Sequence, residues 1–202
     1  LYGLYQADSG VIKIHEKEID IKNPSVAIEQ GIGMVHQHFM LVHNFTVVEN
    51  ILLGNEITNA AGFLNYKKSR QKVQELVDKY GLHVDLDAKI ENISVGMQQR
   101  VEILKALYRN ADILILDEPT AVLTPQEIEE LISIMHNLTK DGKTIIIITH
   151  KLAEIKQSAE ECTIIRRGEY VDTVKVEDTT INELATKMVG HAVKLVVDKE
   201  KA

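Results

Sequence analysis

Hydrophobic and polar positions follow two rhythms along this chain, and the changes of rhythm divide it. Residues 113–116 (Ile-Leu-Ile-Leu) are an unbroken aliphatic run, the pattern of a strand covered on both faces in a parallel sheet. Residues 144–149 repeat that pattern, and residues 33–35 read as a shorter strand. Between them the period becomes helical. Val73, Leu76, Val77 and Tyr80 recur at i, i+3, i+4 and i+7, which predicts an amphipathic helix over 67–80 stopped by Gly81. Val101, Leu104 and Tyr108 predict another helix over 98–109. Thr46-Val47-Val48-Glu49 is a capping box that opens a shorter helix, closed by Gly54. Residues 38–108 therefore read as a mostly helical lobe between two α/β stretches, 1–37 and 109–190.

The second α/β stretch has its own punctuation. Thr124 is the expected N-cap of a helix with Pro125 at its first position and Glu127 completing a capping box. Ile128, Leu131, Ile132, Met135 and Leu138 form its apolar stripe. Asp141-Gly142-Lys143 turns into the strand over 144–149. Residues 163–174 read as a hairpin turning at Arg167-Gly168. A last helix runs from Thr180, capped with Glu183, to Gly190, and 191–202 read as a tail or linker. Near the start, Val11 to Ile14 followed by the polar run His15-Glu16-Lys17-Glu18 reads as a hairpin edge.

Composition narrows the class. A length of 202 residues with 45% hydrophobic content suits one large domain, or one with a small inserted lobe. No apolar stretch approaches the about 20 residues of a membrane span, so membrane association would run through partners. A formal charge of −7 argues against a general nucleic-acid binder. The single Cys162 gives no disulfide framework, fits a reducing compartment, and reads as a structural thiol in an apolar strand.

Candidate chemistry collects where strands end. The run 113–116 stops on Asp117-Glu118-Pro119, and ligands of open α/β sheets sit outside the carboxyl ends of the strands. One carboxylate can hold magnesium through water while its neighbour orients an attacking water, the layout of a nucleotide-hydrolysing site. A solvated, charged turn is the plain alternative. Gln37 follows the strand 33–35, and its amide oxygen can ligate magnesium; a strand-end Gln is otherwise simply hydrated. His36, His38 and His43 cluster nearby, but spacing alone makes no metal site, and loop packing is the reading. Ser94 and Gly96 precede a helix, whose free amides suit a phosphate; an ordinary Ser N-cap has the same geometry. His150 ends the strand over 144–149, where a lone His is more often structural.

Taken in order, Gln37, Ile93-Ser94-Val95-Gly96-Met97, Asp117-Glu118, Ala121-Val122-Leu123-Thr124 and His150 resemble the Q-loop, signature motif, Walker B, D-loop and switch histidine of ABC transporter nucleotide-binding domains. The resemblance runs from Asp8 to about Gly190. Residues 31–42 are similar to the first of two fused ATPase domains in bacterial importers of simple sugars or nucleosides. The resemblance implies an α/β, P-loop NTPase-like core with an inserted helical subdomain, and ATP with Mg2+ as cofactors. Gln37 and Asp117 would serve the metal, and Glu118 would act as general base or water-orienting group. His150 would touch the γ-phosphate, and Ser94 and Gly96 would close over ATP held by the opposite ATPase domain. Implied partners are membrane permease subunits, a second ATPase domain fused in the parent chain and, indirectly, an extracytoplasmic substrate-binding lipoprotein. Nucleic acid is not among them. The implied location is the cytoplasmic face of a bacterial cell membrane.

Departures from the family pattern shape the expectations. Val95 stands where the family usually has Gly, Met97 where it has Gln, and Thr124 where it has Asp. Val95 resists positive φ and adds bulk beside a phosphate, so the site completed by this turn is expected to be weak or non-hydrolytic. Thr124 is explained by helix capping. No Gly-x-x-x-x-Gly-Lys-Ser/Thr occurs in the 202 residues, and Leu1 to Tyr5 would be the tail of the helix that follows such a loop. The N-terminus is therefore expected to be truncated, and the chain alone to bind ATP poorly. Two further readings stand beside the importer. One is a soluble ABC-type ATPase acting on ribosomes or DNA, which a charged insertion or a basic stretch would favour. The other is an interaction fragment that docks on a permease without nucleotide.

Overall fold

The computed structural model describes residues 1–58 and 62–191. The chain divides into two compact units, Leu1–Ile148 and a second that begins at Thr149. The first unit runs β1 (Ile12–Ile14), β2 (Lys17–Ile19), α1 (Pro24–Glu29), β3 (Ile32–Val35), α2 (Val47–Leu52), α3 (Tyr66–Tyr80), α4 (Val95–Tyr108), β4 (Ile113–Asp117), α5 (Pro125–Lys140) and β5 (Thr144–Ile148).

β3, β4 and β5 form a parallel sheet in that order, with Val35 opposite Leu116 and Asp117 opposite Ile148. The aliphatic run of β4 is continuous because both of its faces are covered. Leu114 and Leu116 belong to the main core with Ile51, Leu104, Leu131 and Leu138. Ile115 belongs to a smaller core with Ile21, Ala27 and Ile32. Helices α2, α3 and α4 pack on one another, and Val48, Val73 and Val101 are fully buried among them.

Local chemistry explains the element ends. The capping boxes at Thr46 and Thr124 are formed, each hydroxyl accepting the amide three residues on at 3.3 Å. Gly81 closes α3 in the left-handed region at φ 70°. Helix α4 begins at Val95, three residues before the start that periodicity predicts. Ser94 caps it, accepting the Met97 amide at 3.2 Å, while Val95 and Met97 stay 40% exposed and add nothing to the apolar stripe. Helix α1 has no counterpart in the hydrophobic pattern. Asn23 caps it and Pro24 starts it, but its six residues bury only Ala27. Leu1 to Tyr5, expected as a helix tail, are not helical. Gly3 is left-handed at φ 82°, and a Cβ there would lie 2.5 Å from the Asn23 carbonyl carbon.

Side chains also join α3 to the end of α5. Asp141 accepts from Lys79 Nζ at 2.7 Å and from the Tyr80 hydroxyl at 2.6 Å. The Lys79 hydrogen bond, then that of Tyr80, holds this carboxyl below the usual carboxylate range.

The second unit comprises α6 (Leu152–Ser158), β6 (Glu161–Arg166), β7 (Glu169–Lys175) and α7 (Ile181–Val189). β6 and β7 are an antiparallel hairpin turning at Arg167 and Gly168. Both are left-handed, at φ 54° and 80°, as a tight hairpin turn requires. The Thr180–Glu183 capping box opens α7, and Gly190 ends it. Ile155, Ile164, Val176 and Leu184 form its core. Cys162 is half-buried on β6, and burial pushes its thiol up, away from the reactive thiolate. Helix α6 has no counterpart in the hydrophobic pattern; among the described residues no side chain caps it, and it buries only Ile155. Of the expected tail 191–202, residues 192–202 lie outside the described residues.

Candidate functional site

Parallel register sets the first part of the site. Strand β3 runs into Gln37, and β4 ends at Asp117 with Glu118 next to it, so the sheet brings these three residues to one carboxyl edge. Gln37 is exposed, and Asp117 and Glu118 are half-buried.

Glu118 has a backbone that its sequence does not announce. Its φ is 46°, in the left-handed region that few residues other than glycine adopt. Such a conformation costs on the order of 1 kcal/mol and persists only where the surroundings enforce it. Here the Glu118 amide donates to the Ile148 carbonyl at 2.8 Å, and the Glu118 carbonyl accepts from the Ala121 amide at 3.2 Å. Pro119 and Thr120, both buried, follow at once. The chain thus turns sharply off the sheet at Glu118.

The metal question can be put to the donor set. Among the described residues no group of three or more His, Cys, Asp or Glu is placed to hold a metal ion. His36 meets Tyr2 edge to face, with ring centres 5.8 Å apart. Asp117 and Gln37 offer one carboxylate and one amide oxygen. Those hard donors suit magnesium, which takes one or two carboxylates and completes its shell with water and substrate phosphates.

The second part of the site is the turn at the start of α4. Ser94 is exposed and Gly96 is buried. Val95 is the first helical residue and its φ is negative, so the position demands no left-handed backbone; the expected conformational penalty is absent, and only bulk remains. This turn is filled by Glu127, whose place in the sequence indicates only a capping role. Its Oε2 accepts from the Thr124 amide and hydroxyl at 3.0 Å each, and its Oε1 accepts from the Ser94 hydroxyl at 3.2 Å. A Cβ on Gly96 would lie 2.3 Å from Oε1, so a side chain there would displace the carboxylate from this position. The capping-box spacing from Thr124 was visible in the sequence, but nothing local pointed to Ser94, 33 residues away. His150 lies on a bend at the start of the second unit and is exposed.

The fold and this edge define the class. The family model described as "ABC transporter" matches residues 1–121, and the chain belongs to that family. It is 56% identical, over all its length, to the nucleoside import ATP-binding protein NupA of Lactococcus lactis subsp. cremoris, covering 40% of that protein. It is 54% identical over 202 residues to the guanosine import ATP-binding protein NupO of Bacillus subtilis, covering 39% of it. It is 40% identical over 191 residues to the ribose import ATP-binding protein RbsA of Bacillus licheniformis. The chain thus spans about 40% of the length of these relatives. An ATP-binding cassette of an ABC transporter shares the fold at TM-score 0.78 and 22% identity, over 94% of this chain and 79% of that one. The architecture is that of an ABC ATPase core with a helical subdomain.

Proposed function

We propose that this chain is part of the ATP-hydrolysing subunit of an ABC importer, and that the parent protein powers uptake of a nucleoside or simple sugar through a separate permease. The observation that carries this reading is the parallel sheet that brings Gln37, Asp117 and Glu118 to one edge. Nucleoside import ranks first because the two relatives named for it share more than half of their matched residues with this chain.

In this reading residues 38–108 form the helical lobe, and 1–37 with 109–190 the core. Asp117 and Gln37 would hold magnesium, which would neutralise phosphate charge. Glu118 orients the attacking water and takes its proton. Ser94 and Gly96 close on a nucleotide held by a second ATPase domain, and His150 steadies the γ-phosphate. Most of the barrier lowering comes from positioning and charge stabilisation. The protein sits at the cytoplasmic face of the membrane through its permease. Among the described residues no helix is long and apolar enough to cross a membrane.

Two measurements test the reading. The phosphate-cradling Gly-x-x-x-x-Gly-Lys-Ser/Thr loop is not among the 202 residues. Calorimetric titration of this chain with magnesium-ATP is therefore expected to show no saturable heat at millimolar ligand. This is also the observation behind the second reading, a fragment that docks without nucleotide. A micromolar dissociation constant would mean that the site is elsewhere.

The other measurement concerns the permease. Of the apolar residues after Gln37, Phe39 packs against the main core and Leu41 is buried, but Met40 is 67% exposed. The Met40 backbone is pinned, its amide donating to Glu102 Oε1 at 2.7 Å and its carbonyl accepting from Lys105 Nζ at 3.0 Å. A flexible thioether held outward beside the Q-loop suits a helix-in-groove contact. Met40→Asp in a full-length subunit is expected to reduce co-purification with the permease while shifting the melting temperature by no more than a few degrees. Assembly that persists, or a subunit that melts, would place the docking surface elsewhere.

A further inference from the structure

We propose that Glu127 is a positioning residue that plugs the anion seat at the start of α4, so that a phosphate reaches Ser94 and Gly96 only by displacing its carboxylate. The proposal rests on the reading of that turn as a phosphate site.

The geometry is particular. A helix N-terminus presents free amides and a partial positive charge, so some anion is favoured there. In this chain the anion is internal. Glu127 Oε1 takes the Ser94 hydroxyl at 3.2 Å and lies where a Gly96 Cβ would be, while Oε2 stays with Thr124. One carboxylate thus serves two helix starts, those of α5 and α4. The hydrogen bonds of the Thr124 amide and hydroxyl, then those of Ser94 and the Gly96 amide, hold the Glu127 carboxyl below the usual glutamate range.

A second observation points to a ligand at this seat. Gln99 is 2% exposed, and among the described residues neither its carboxamide oxygen nor its nitrogen has a hydrogen-bond partner. It lines a cavity of about 10 Å³ together with Gly96 and Glu127, which has room for about one water. A buried donor left unpaired is costly, and a phosphate oxygen seated beside it would satisfy it. Phosphate carries more acceptor oxygens than the two of Glu127, both of which are engaged elsewhere. Arg100 lines the same cavity, but its guanidinium pairs with Glu130 and donates to the His83 carbonyl, so it does not neutralise Glu127.

The test uses amide chemical shifts of this 202-residue chain, with inorganic phosphate as the probe. The Gly96 amide is expected to titrate with the Glu127 carboxyl, at a midpoint below the ordinary glutamate range, and to lose that titration in Glu127→Gln. Phosphate at neutral pH is expected to move the Gly96 and Met97 amides of Glu127→Gln at concentrations about tenfold or more below those needed for wild type, the scale of one charged hydrogen bond. Glu127→Asp, which keeps the charge at the α5 cap but shortens the reach, is expected to respond like Glu127→Gln; it stands in if the amide variant does not fold. Equal phosphate response in wild type and both variants overturns the plug and leaves the phosphate reading intact. No phosphate response in any of them removes the phosphate reading, and the proposal falls with it.

Discussion

Glu118→Gln is expected to leave ATP binding intact and to slow hydrolysis by about 10²-fold or more, the usual loss when a general base is removed. The measurement needs a protein that carries this chain together with a phosphate cradle, in its assembly with the permease. Asp117 and Glu118 are adjacent, yet the left-handed backbone at Glu118 gives them different surroundings. Asp117 is still paired in the sheet opposite Ile148, whereas Glu118 begins the turn that leads away from it. One carboxylate can thus serve the metal while the other serves the water. Glutamine has the same size and the same backbone demand, so the variant removes the carboxylate's basicity and charge while keeping its shape. A companion, Glu118→Gly, separates strain from chemistry. Glycine adopts φ 46° without penalty. That variant is expected to melt no lower than wild type while being equally inactive. Hydrolysis at a near-normal rate in Glu118→Gln would assign the base to another residue.

Much of this was legible in the chain because it is written locally. The aliphatic run into Asp117-Glu118 announces a strand covered on both faces, and the sheet covers it so. The capping boxes at Thr46, Thr124 and Thr180 are spelled out within four residues each, and all three form. The hairpin turn at Arg167-Gly168 is likewise local. Sequence reading fell short where structure depends on capping without burial. Helix α1 is held by Asn23 and Pro24 rather than by an apolar stripe, and α4 begins with two residues whose side chains face solvent.

The candidate site was legible as a list of residues but not as a shape. The order of motifs named Gln37, Asp117 and Glu118, and register then explains why they share an edge. Nothing in the residue type foretold a left-handed Glu118, because glutamate has no preference for that region. The doubt over Val95 came from φ preference, and the observed helical start removes that part of it. Glu127 had been fully explained by the capping of α5. A side chain with one sufficient local role gives no sign that its other oxygen serves a distant turn.

Leu114→Ala is expected to destabilise the chain by about 2–5 kcal/mol, the range for truncating a buried leucine. Against the about 5–15 kcal/mol that separates folded from unfolded domains, that loss is a large fraction. Leu114 is fully buried at the centre of β4, between Gly33 on one neighbouring strand and Ile145 on the other. Its Cδ2 would sit 3.3 Å from a Cβ built on Gly33, while the Ala106 and Ala111 methyls already crowd that point at 2.7 and 3.0 Å. On that side the neighbours are small and the flanking strands are fixed by sheet pairing, so little can move into the space that a leucine leaves. Ile148→Ala gives the contrast. It lies on β5 in the same sheet but is 49% exposed, and its truncation is expected to cost a fraction of that amount. Urea unfolding of the two variants measures the difference. Equal midpoints would mean that the packing around β4 is looser than its burial indicates. Because β4 delivers Asp117 and Glu118, a fully folded Leu114→Ala at low temperature is also expected to be less active than Ile148→Ala in the hydrolysing assembly.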